Sequence, residues 1–181
     1  MLTVSSAVKK LIAKAQPLVD DRRRAGLESV PVAEALGRVP AADIASEIDV
    51  PFVDLDSYLE EKYLQSSVSD FIKNKGELAF RKLEKKALQT LSEADNPMVL
   101  ACGGGTPCYY DNMDVLNSNF HTVYLNCSIS TLVSRLTNEL RQRPLISHLE
   151  VSELKEFVAK HLFERRYYYN QATTNLFPPC L

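Results

Sequence analysis

The stretch Met98-Val99-Leu100-Ala101-Cys102-Gly103-Gly104-Gly105-Thr106-Pro107-Cys108 decides how this chain is read. Five apolar residues in a row, with no polar alternation, suit a strand buried on both faces. They run straight into three glycines, where a ligand can approach the backbone closely and peptide N–H groups are available as donors. The same triplet would also serve as a plain strand-to-helix turn. Toward the N-terminus, Glu77–Ala94 reads as a helix with Phe80, Leu83, Leu88 and Leu91 mostly on one face. Tyr58–Tyr63 and Val68–Asn74 read as shorter helices, and Pro51-Phe52-Val53-Asp54-Leu55-Asp56 as a short strand ending in acids. Toward the C-terminus, Phe120–Cys127 reads as a strand, and Ile129–Leu140 and Val151–Tyr169 as helices. Strands separated by helices of this length indicate an α/β fold, a parallel sheet with right-handed crossovers. Ligands of such sheets gather beyond the carboxyl ends of the strands. Asp54, Asp56 and Gly103–Gly105 therefore fall on one rim.

The chain divides near Asp49–Pro51, into a helical segment 1–49 and an α/β domain 50–181. In the first piece Val4, Ala7, Val8, Leu11, Ile12 and Ala15 recur at helical spacing, and Pro17 closes that helix. Val30-Pro31-Val32 reads as the lead into a short helix over Ala33–Leu36, capped by Gly37. Over its 181 residues the chain is 45% hydrophobic and 24% charged, with a formal net charge of -2. That balance, without a long basic run, argues against a nucleic-acid partner. No apolar run approaches the roughly 20 residues of a membrane span, and no basic segment followed by an apolar one opens the chain. A cytoplasmic protein without a membrane partner is the expectation. Cys102, Cys108, Cys127 and Cys180 form no C-x-x-C pair, and His121, His148 and His161 do not stand at metal-ligand spacing beside them, so no zinc site is expected. Oligomeric state leaves no signal.

Several residues carry candidate chemistry, each with a plainer alternative. Alternate strand residues point the same way, so the Asp54 and Asp56 carboxylates would face one pocket. There they would accept hydrogen bonds from hydroxyls, hold Mg²⁺ through water or take a proton from an alcohol. Asp56 would equally suit the start of a helix. Arg81 and Glu84, at i, i+3 on one helix, make either an anion site or a surface ion pair. Arg141-Gln142-Arg143-Pro144 follows a helix, where guanidinium groups clamp phosphate or carboxylate, or simply solvate a helix C-terminus. Arg165 and Arg166, beside Tyr167–Tyr169, suit an anionic ligand or plain stem packing.

The order of these elements is more telling than any one of them. Asp54-x-Asp56 after a strand, Phe80-Arg81-x-x-Glu84, Gly103-Gly104-Gly105-Thr106-Pro107-Cys108, Gln142-Arg143-Pro144-Leu145 and Arg165-x-x-x-Tyr169 together resemble the shikimate kinase family, from Val50 to about Ala172. The resemblance implies a P-loop-kinase-like fold and transfer of the ATP γ-phosphate, with Mg²⁺, to the 3-hydroxyl of shikimate. It implies that Asp54 and Asp56 bind shikimate hydroxyls and support Mg²⁺ or proton transfer. By the same resemblance Arg81 and Arg165 hold the shikimate carboxylate, and Gly103, Gly104 and Gly105 lie against its ring. Arg143 corresponds to the lid arginine that reaches the transferring phosphates, and Arg135 to a nucleotide-side arginine.

The chain departs from that pattern at its N-terminal side. The Gly-x-x-x-x-Gly-Lys-Ser/Thr loop that cradles phosphates has no counterpart: the glycines before residue 50 are Gly26 and Gly37, neither precedes Lys, and no lysine occurs between Lys14 and Lys62. Residues of about 3–51, with Val30-Pro31-Val32-Ala33-Glu34-Ala35-Leu36-Gly37-Arg38-Val39 at their centre, resemble instead the opening of molybdopterin molybdenumtransferase. Val50-Pro51-Phe52 makes a plausible crossover between the two. The expected fold is therefore an incomplete α/β sheet lacking its central strand. A fifth strand is not expected either, because Thr173–Leu181 ends in Phe177-Pro178-Pro179-Cys180-Leu181. The first 45 residues would pack loosely as helices on a marginally stable domain. The expected function is that of a shikimate kinase-like protein with phosphoryl transfer lost or very weak. The alternatives are a non-catalytic shikimate-binding or interaction module, and a fusion without enzymatic function.

Overall fold

The computed structural model describes residues 30–33, 42, 45–46, 48–94, 96–139 and 149–176; the side chains of residues 30–33, 138–139 and 151 lie outside that description. The apolar run before the glycines forms strand β3 (Val99–Cys102), buried at every position. A strand so placed must have both edges paired, because unpaired backbone N–H and C=O groups are costly away from water. On one side it pairs with β2 (Phe52–Asp54), with Phe52 opposite Val99 and Asp54 opposite Ala101. On the other it pairs with β1 (Val30–Ala33), from Val30 opposite Val99 to Ala33 opposite Cys102. β1 in turn pairs with β4 (Val123–Leu125), and β4 with β5 (Thr174–Leu176). The sheet is parallel throughout, in the order β2-β3-β1-β4-β5.

Two expectations are corrected here. The central position of the sheet is filled: Val30–Ala33, read from sequence as the approach to a short helix, is its middle strand. Pro31 lacks an N–H and would break a ladder bonded on both sides. The pairing with β4 begins only at Val32, so Pro31 needs a partner strand on one side alone. The second correction is β5. Thr174–Leu176 adds the fifth strand, tied in by Thr174 N–H to the Thr122 carbonyl at 2.9 Å and by Asn126 N–H to the Leu176 carbonyl at 2.7 Å. Of the helix expected over Ala33–Leu36, Ala33 is instead the last residue of β1; residues 34–36, and the helix expected over residues 4–15, lie outside the described residues.

The helices follow local signals. α1 (Leu55–Lys62) starts where the Asp54 carboxylate accepts from Ser57 N–H at 3.0 Å. α2 (Val68–Lys75) is capped by Ser67, whose hydroxyl accepts from Asp70 N–H at 3.1 Å. Gly76, at φ 85°, links it to α3 (Glu77–Ser92) through a conformation that other residues resist. After β3 comes a 3-10 turn over Thr106–Cys108, then α4 (Asn112–Asn119), a helix the sequence reading omitted. α5 (Ile129–Glu139) and α6 (Val151–Tyr169) lie between β4 and β5, with Glu153 reaching back to Glu150 N–H at 2.9 Å.

The main core lies between the sheet and α1, α3 and α4, where Leu55, Leu59, Phe80, Leu88, Leu100, Leu116 and Phe120 pack together. A second cluster joins α5 to α6 through Leu132, Val133, Leu136, Leu154 and Val158. Among the described residues no helix is long and apolar enough to cross a membrane.

Because β1 bridges β3 and β4, their amides should exchange with deuterium as one slow block, Val99–Cys102 together with Val123–Leu125. Hydrogen-exchange mass spectrometry that found Val123–Leu125 opening much faster than Val99–Cys102 would contradict the bridge.

Candidate functional site: the glycine turn at the sheet rim

Parallel pairing brings the strand ends Ala33, Asp54, Cys102 and Leu125 to one edge, and the chain leaving β3 turns there as Gly103-Gly104-Gly105. Each glycine is crowded by a different set of groups. A Cβ at Gly103 would lie 3.5 Å from Thr106 Oγ1, 3.7 Å from Asp56 Oδ1 and 3.9 Å from Glu84 Oε1. At Gly104 it would lie 3.1 Å from Tyr169 Oη and 3.2 Å from Arg165 Nη1. At Gly105 it would collide with the Arg81 guanidinium, 2.7 Å from Cζ and 2.8 Å from Nη1. Gly105 has no room for a side chain and Gly104 little, because guanidinium and phenol groups close on the backbone, whereas a Cβ at Gly103 would meet its neighbours at ordinary contact distance.

Arg81 is the most constrained of these. Its Nη1 donates to Glu84 Oε2 at 3.0 Å, and its Nη2 and Nε donate to Glu77 Oε1 at 2.9 and 3.3 Å. The Tyr109 ring lies 4.5 Å from its Cζ, within range of a cation–π contact. Burial disfavours the charge, but the Glu84 and Glu77 carboxylates outweigh burial and hold the guanidinium above its ordinary pKa. Glu84 is fully buried and its second oxygen accepts from Thr106 Oγ1 at 2.6 Å. Helix α3 is thereby fastened to the turn by a paired charge in the interior. Glu77 is half-exposed. Its carboxyl is held below the ordinary value by hydrogen bonds from Arg81 and then from Tyr109, whose hydroxyl reaches it at 2.9 Å.

Arg165 comes from the last turns of α6 and is half-buried; among the described residues no ion pair engages it. Cys108 sits beside both arginines, and burial pushes its thiol up despite their pull in the other direction. An arginine without an ion pair among the described residues, a second arginine and a carboxylate around peptide N–H groups can take a small molecule bearing an anionic group and hydroxyls.

Of the residues singled out from sequence, Asp56, Arg81, Gly103, Gly104, Gly105 and Arg165 are brought together. The two aspartates do not stand on alternate strand positions as expected: the strand ends at Asp54, which caps α1, and Asp56 lies in the first helical turn. The carboxylate that suits a cap is the earlier one, because helical geometry begins at Leu55. Arg135 is half-buried on α5, without a contact to the turn among the described residues. Arg143, with residues 140–148, lies outside them. Among the described residues no three His, Cys, Asp or Glu side chains cluster as metal ligands. Sequence reasoning missed Glu77 and Tyr109. Glu77 had a signal, standing four residues before Arg81 on one helix face; Tyr109, which arrives from beyond the turn, had none.

Two measurements probe this geometry. Gly105→Ala would drive a methyl group into a guanidinium held on two sides, so its urea denaturation midpoint should correspond to a loss of about 1–3 kcal/mol. No loss would mean that Arg81 yields its place easily. Glu77 has a lowered folded-state pKa, so its contribution to stability is present above the unfolded value of about 4.5 and vanishes as pH falls through the lower folded one. The stability gap between wild type and Glu77→Gln should close on acidification below that pH. A gap independent of pH would exclude the ionic contact as its source.

Comparison with known proteins places this rim in a wider context. A family model described as shikimate kinase matches residues 41–178. A shikimate kinase of Flavobacterium johnsoniae is 39% identical over 133 residues, covering 73% of this chain and 77% of that protein. The crystal structure of shikimate kinase from Bacteroides thetaiotaomicron superposes with a TM-score of 0.76 at 33% identity, over 83% of this chain and 86% of that one. That of the Acinetobacter baumannii shikimate kinase in complex with shikimate superposes with a TM-score of 0.73 at 23% identity, over 84% of each chain, a likeness of fold. The architecture is the α/β, P-loop-kinase-like fold.

Proposed function

This chain belongs to the shikimate kinase family, and from that premise we propose that its glycine-turn site binds shikimate while phosphoryl transfer from ATP is lost or very weak. The observation that carries the binding half is the arrival of Arg81 and Arg165 at the adjoining glycines 105 and 104, with Asp56 beside Gly103. Shikimate is a ring bearing a carboxylate and hydroxyls. Two guanidinium groups suit the carboxylate, and the Asp56 carboxylate suits a hydroxyl, from which it would take the proton in a transferring relative. Asp54 acts in this reading by capping the helix that carries Asp56.

ATP and Mg²⁺ are the group the family implies, and the donor set for them does not fit. β1 delivers the chain to the same rim as the glycine turn, where a phosphate loop would have to begin. The sequence that follows β1 reads Glu34-Ala35-Leu36-Gly37-Arg38-Val39-Pro40. It offers an acid, one glycine, one arginine and a proline without an N–H, but no lysine and no Gly-Lys-Ser/Thr run to present successive backbone donors. A triphosphate needs successive backbone donors and a cation. Asp54 as a water-mediated Mg²⁺ ligand, and Arg135 and Arg143 as nucleotide or phosphate contacts, lose their purpose with it. In this reading residues of about 3–51, which resemble molybdopterin molybdenumtransferase in sequence, are a foreign N-terminal segment joined to a shikimate-kinase body, and they supply its central strand.

Titration calorimetry with shikimate tests the binding half: Arg81→Ala or Arg165→Ala should each weaken binding about 10–100-fold, the worth of a charge-assisted hydrogen bond. Coupled detection of ADP tests the other half, with no shikimate-dependent release expected. Release that Asp56→Asn abolished would overturn the proposed loss of transfer. Undiminished binding in both arginine variants would overturn the proposed site.

A further inference from the structure

The carbonyl of Gly104 accepts two hydrogen bonds, from the Tyr169 hydroxyl at 2.5 Å and from the Cys108 thiol at 3.8 Å. The phenol is the strong donor of the two, and the thiol, at its longer distance, a weak one. Tyr169 is the final residue of α6, buried, with its ring against Tyr124 of β4 at 5.0 Å between centroids. It stands four residues after Arg165, on the same helix face, and the two polar tips meet at one point above Gly104. Burial raises the phenol's pKa, with Arg165 pulling it partly back, so the hydroxyl keeps its proton at neutral pH and remains a donor.

A peptide unit is planar and trans, so the C=O of Gly104 and the N–H of Gly105 are fixed in opposite directions. Holding the carbonyl toward α6 aims the Gly105 N–H away from α6, and no partner accepts from that N–H among the described residues. Glycine on both sides adds no side-chain barrier to rotation of that peptide; the residues around it are held by Thr106 N–H to the Gly103 carbonyl at 3.0 Å and Cys108 N–H to the Gly105 carbonyl at 2.9 Å. The phenol oxygen that anchors the carbonyl also lies beside the Arg165 guanidinium, which no carboxylate holds among the described residues.

We propose that Tyr169 is a positioning residue of this site: its hydroxyl locks the Gly104–Gly105 peptide and steadies Arg165, so that a backbone N–H and a guanidinium are set for an anionic group before any ligand arrives. The inference rests on the shikimate reading for the ligand, but not for the geometry. Preorganisation of this kind lowers the cost of ordering donors on binding. One neutral hydrogen bond, when lost, corresponds to about a 3–10-fold change in an equilibrium.

Tyr169→Phe keeps the ring and its packing and removes only the hydroxyl. In the unliganded protein, ¹⁵N–¹H spectra should show the Gly105 amide and the Arg165 Nε–H resonances displaced, with the Val123–Leu125 amides of β4 in place. Calorimetry should show shikimate bound about 3–10-fold more weakly. Unmoved Gly105 and Arg165 resonances overturn the inference. So does displacement of both with an affinity unchanged within about twofold. If the wild-type chain takes up no shikimate, the shikimate reading fails, and the spectra alone decide: displacement supports the lock and its absence overturns it. Should Tyr169→Phe not fold, Cys108→Ala removes the weaker donor to the same carbonyl. A smaller displacement of the Gly105 amide is then expected, and none would refute the anchoring.

Discussion

A fully buried carboxylate cannot remain without partners, and Glu84 dictates much of what surrounds it. It needs a cation, which Arg81 supplies from one turn earlier on α3, and a hydroxyl, which Thr106 supplies from beyond the glycines. Those two bonds fix where α3 lies against the end of β3. Arg81, drawn inward to meet Glu84, comes to rest on Gly105, where any side chain would obstruct it. The triplet is thus less a hinge than a clearance: its lack of side chains lets charged groups from α1, α3 and α6 approach one short length of backbone.

The sheet supplies the other half of the arrangement. Parallel strands present their carboxyl ends together, so residues distant in sequence reach the rim without any of them being near neighbours along the chain. β3 carries the glycines, β2 leads into Asp56, and β4 backs Tyr169 through Tyr124. The signs of charge are mixed rather than uniformly basic. Asp56, Glu77 and Glu84 stand against Arg81 and Arg165.

The sequence disclosed most of the α/β half, and the reasons are local. Val99–Cys102 is uniformly apolar and ends in glycine, and α3 and α6 are long with clear caps or stripes. The order of Asp56, Arg81, the glycines and Arg165 pointed to one rim. What escaped was decided by contacts across the chain. Val30-Pro31-Val32-Ala33 carries a proline and is followed by helix formers, so its place as a strand depends on the two neighbours it lies between. Thr174–Leu176 is short and polar, held by backbone bonds to Thr122 and Asn126. Asn112–Asn119 has little amphipathic pattern and is helical because Met113 and Leu116 find the core. Asp54 took the cap expected of Asp56, a shift of two residues that local propensity does not resolve.

The position of β1 bears on how the chain is made. Its partners are Val99 onward in β3 and Val123 in β4, so the first of the described strands to emerge from the ribosome belongs between two that emerge much later. At about 5–20 residues per second, the wait for both neighbours is roughly 5–20 s. During it a short β-forming run stands exposed, able to pair with similar segments on other nascent chains. Pro31 interrupts its row of N–H donors and makes it a poor template for such pairing. The proline that the finished sheet accommodates, where β4 pairing begins only at Val32, also guards the strand until β3 and β4 arrive.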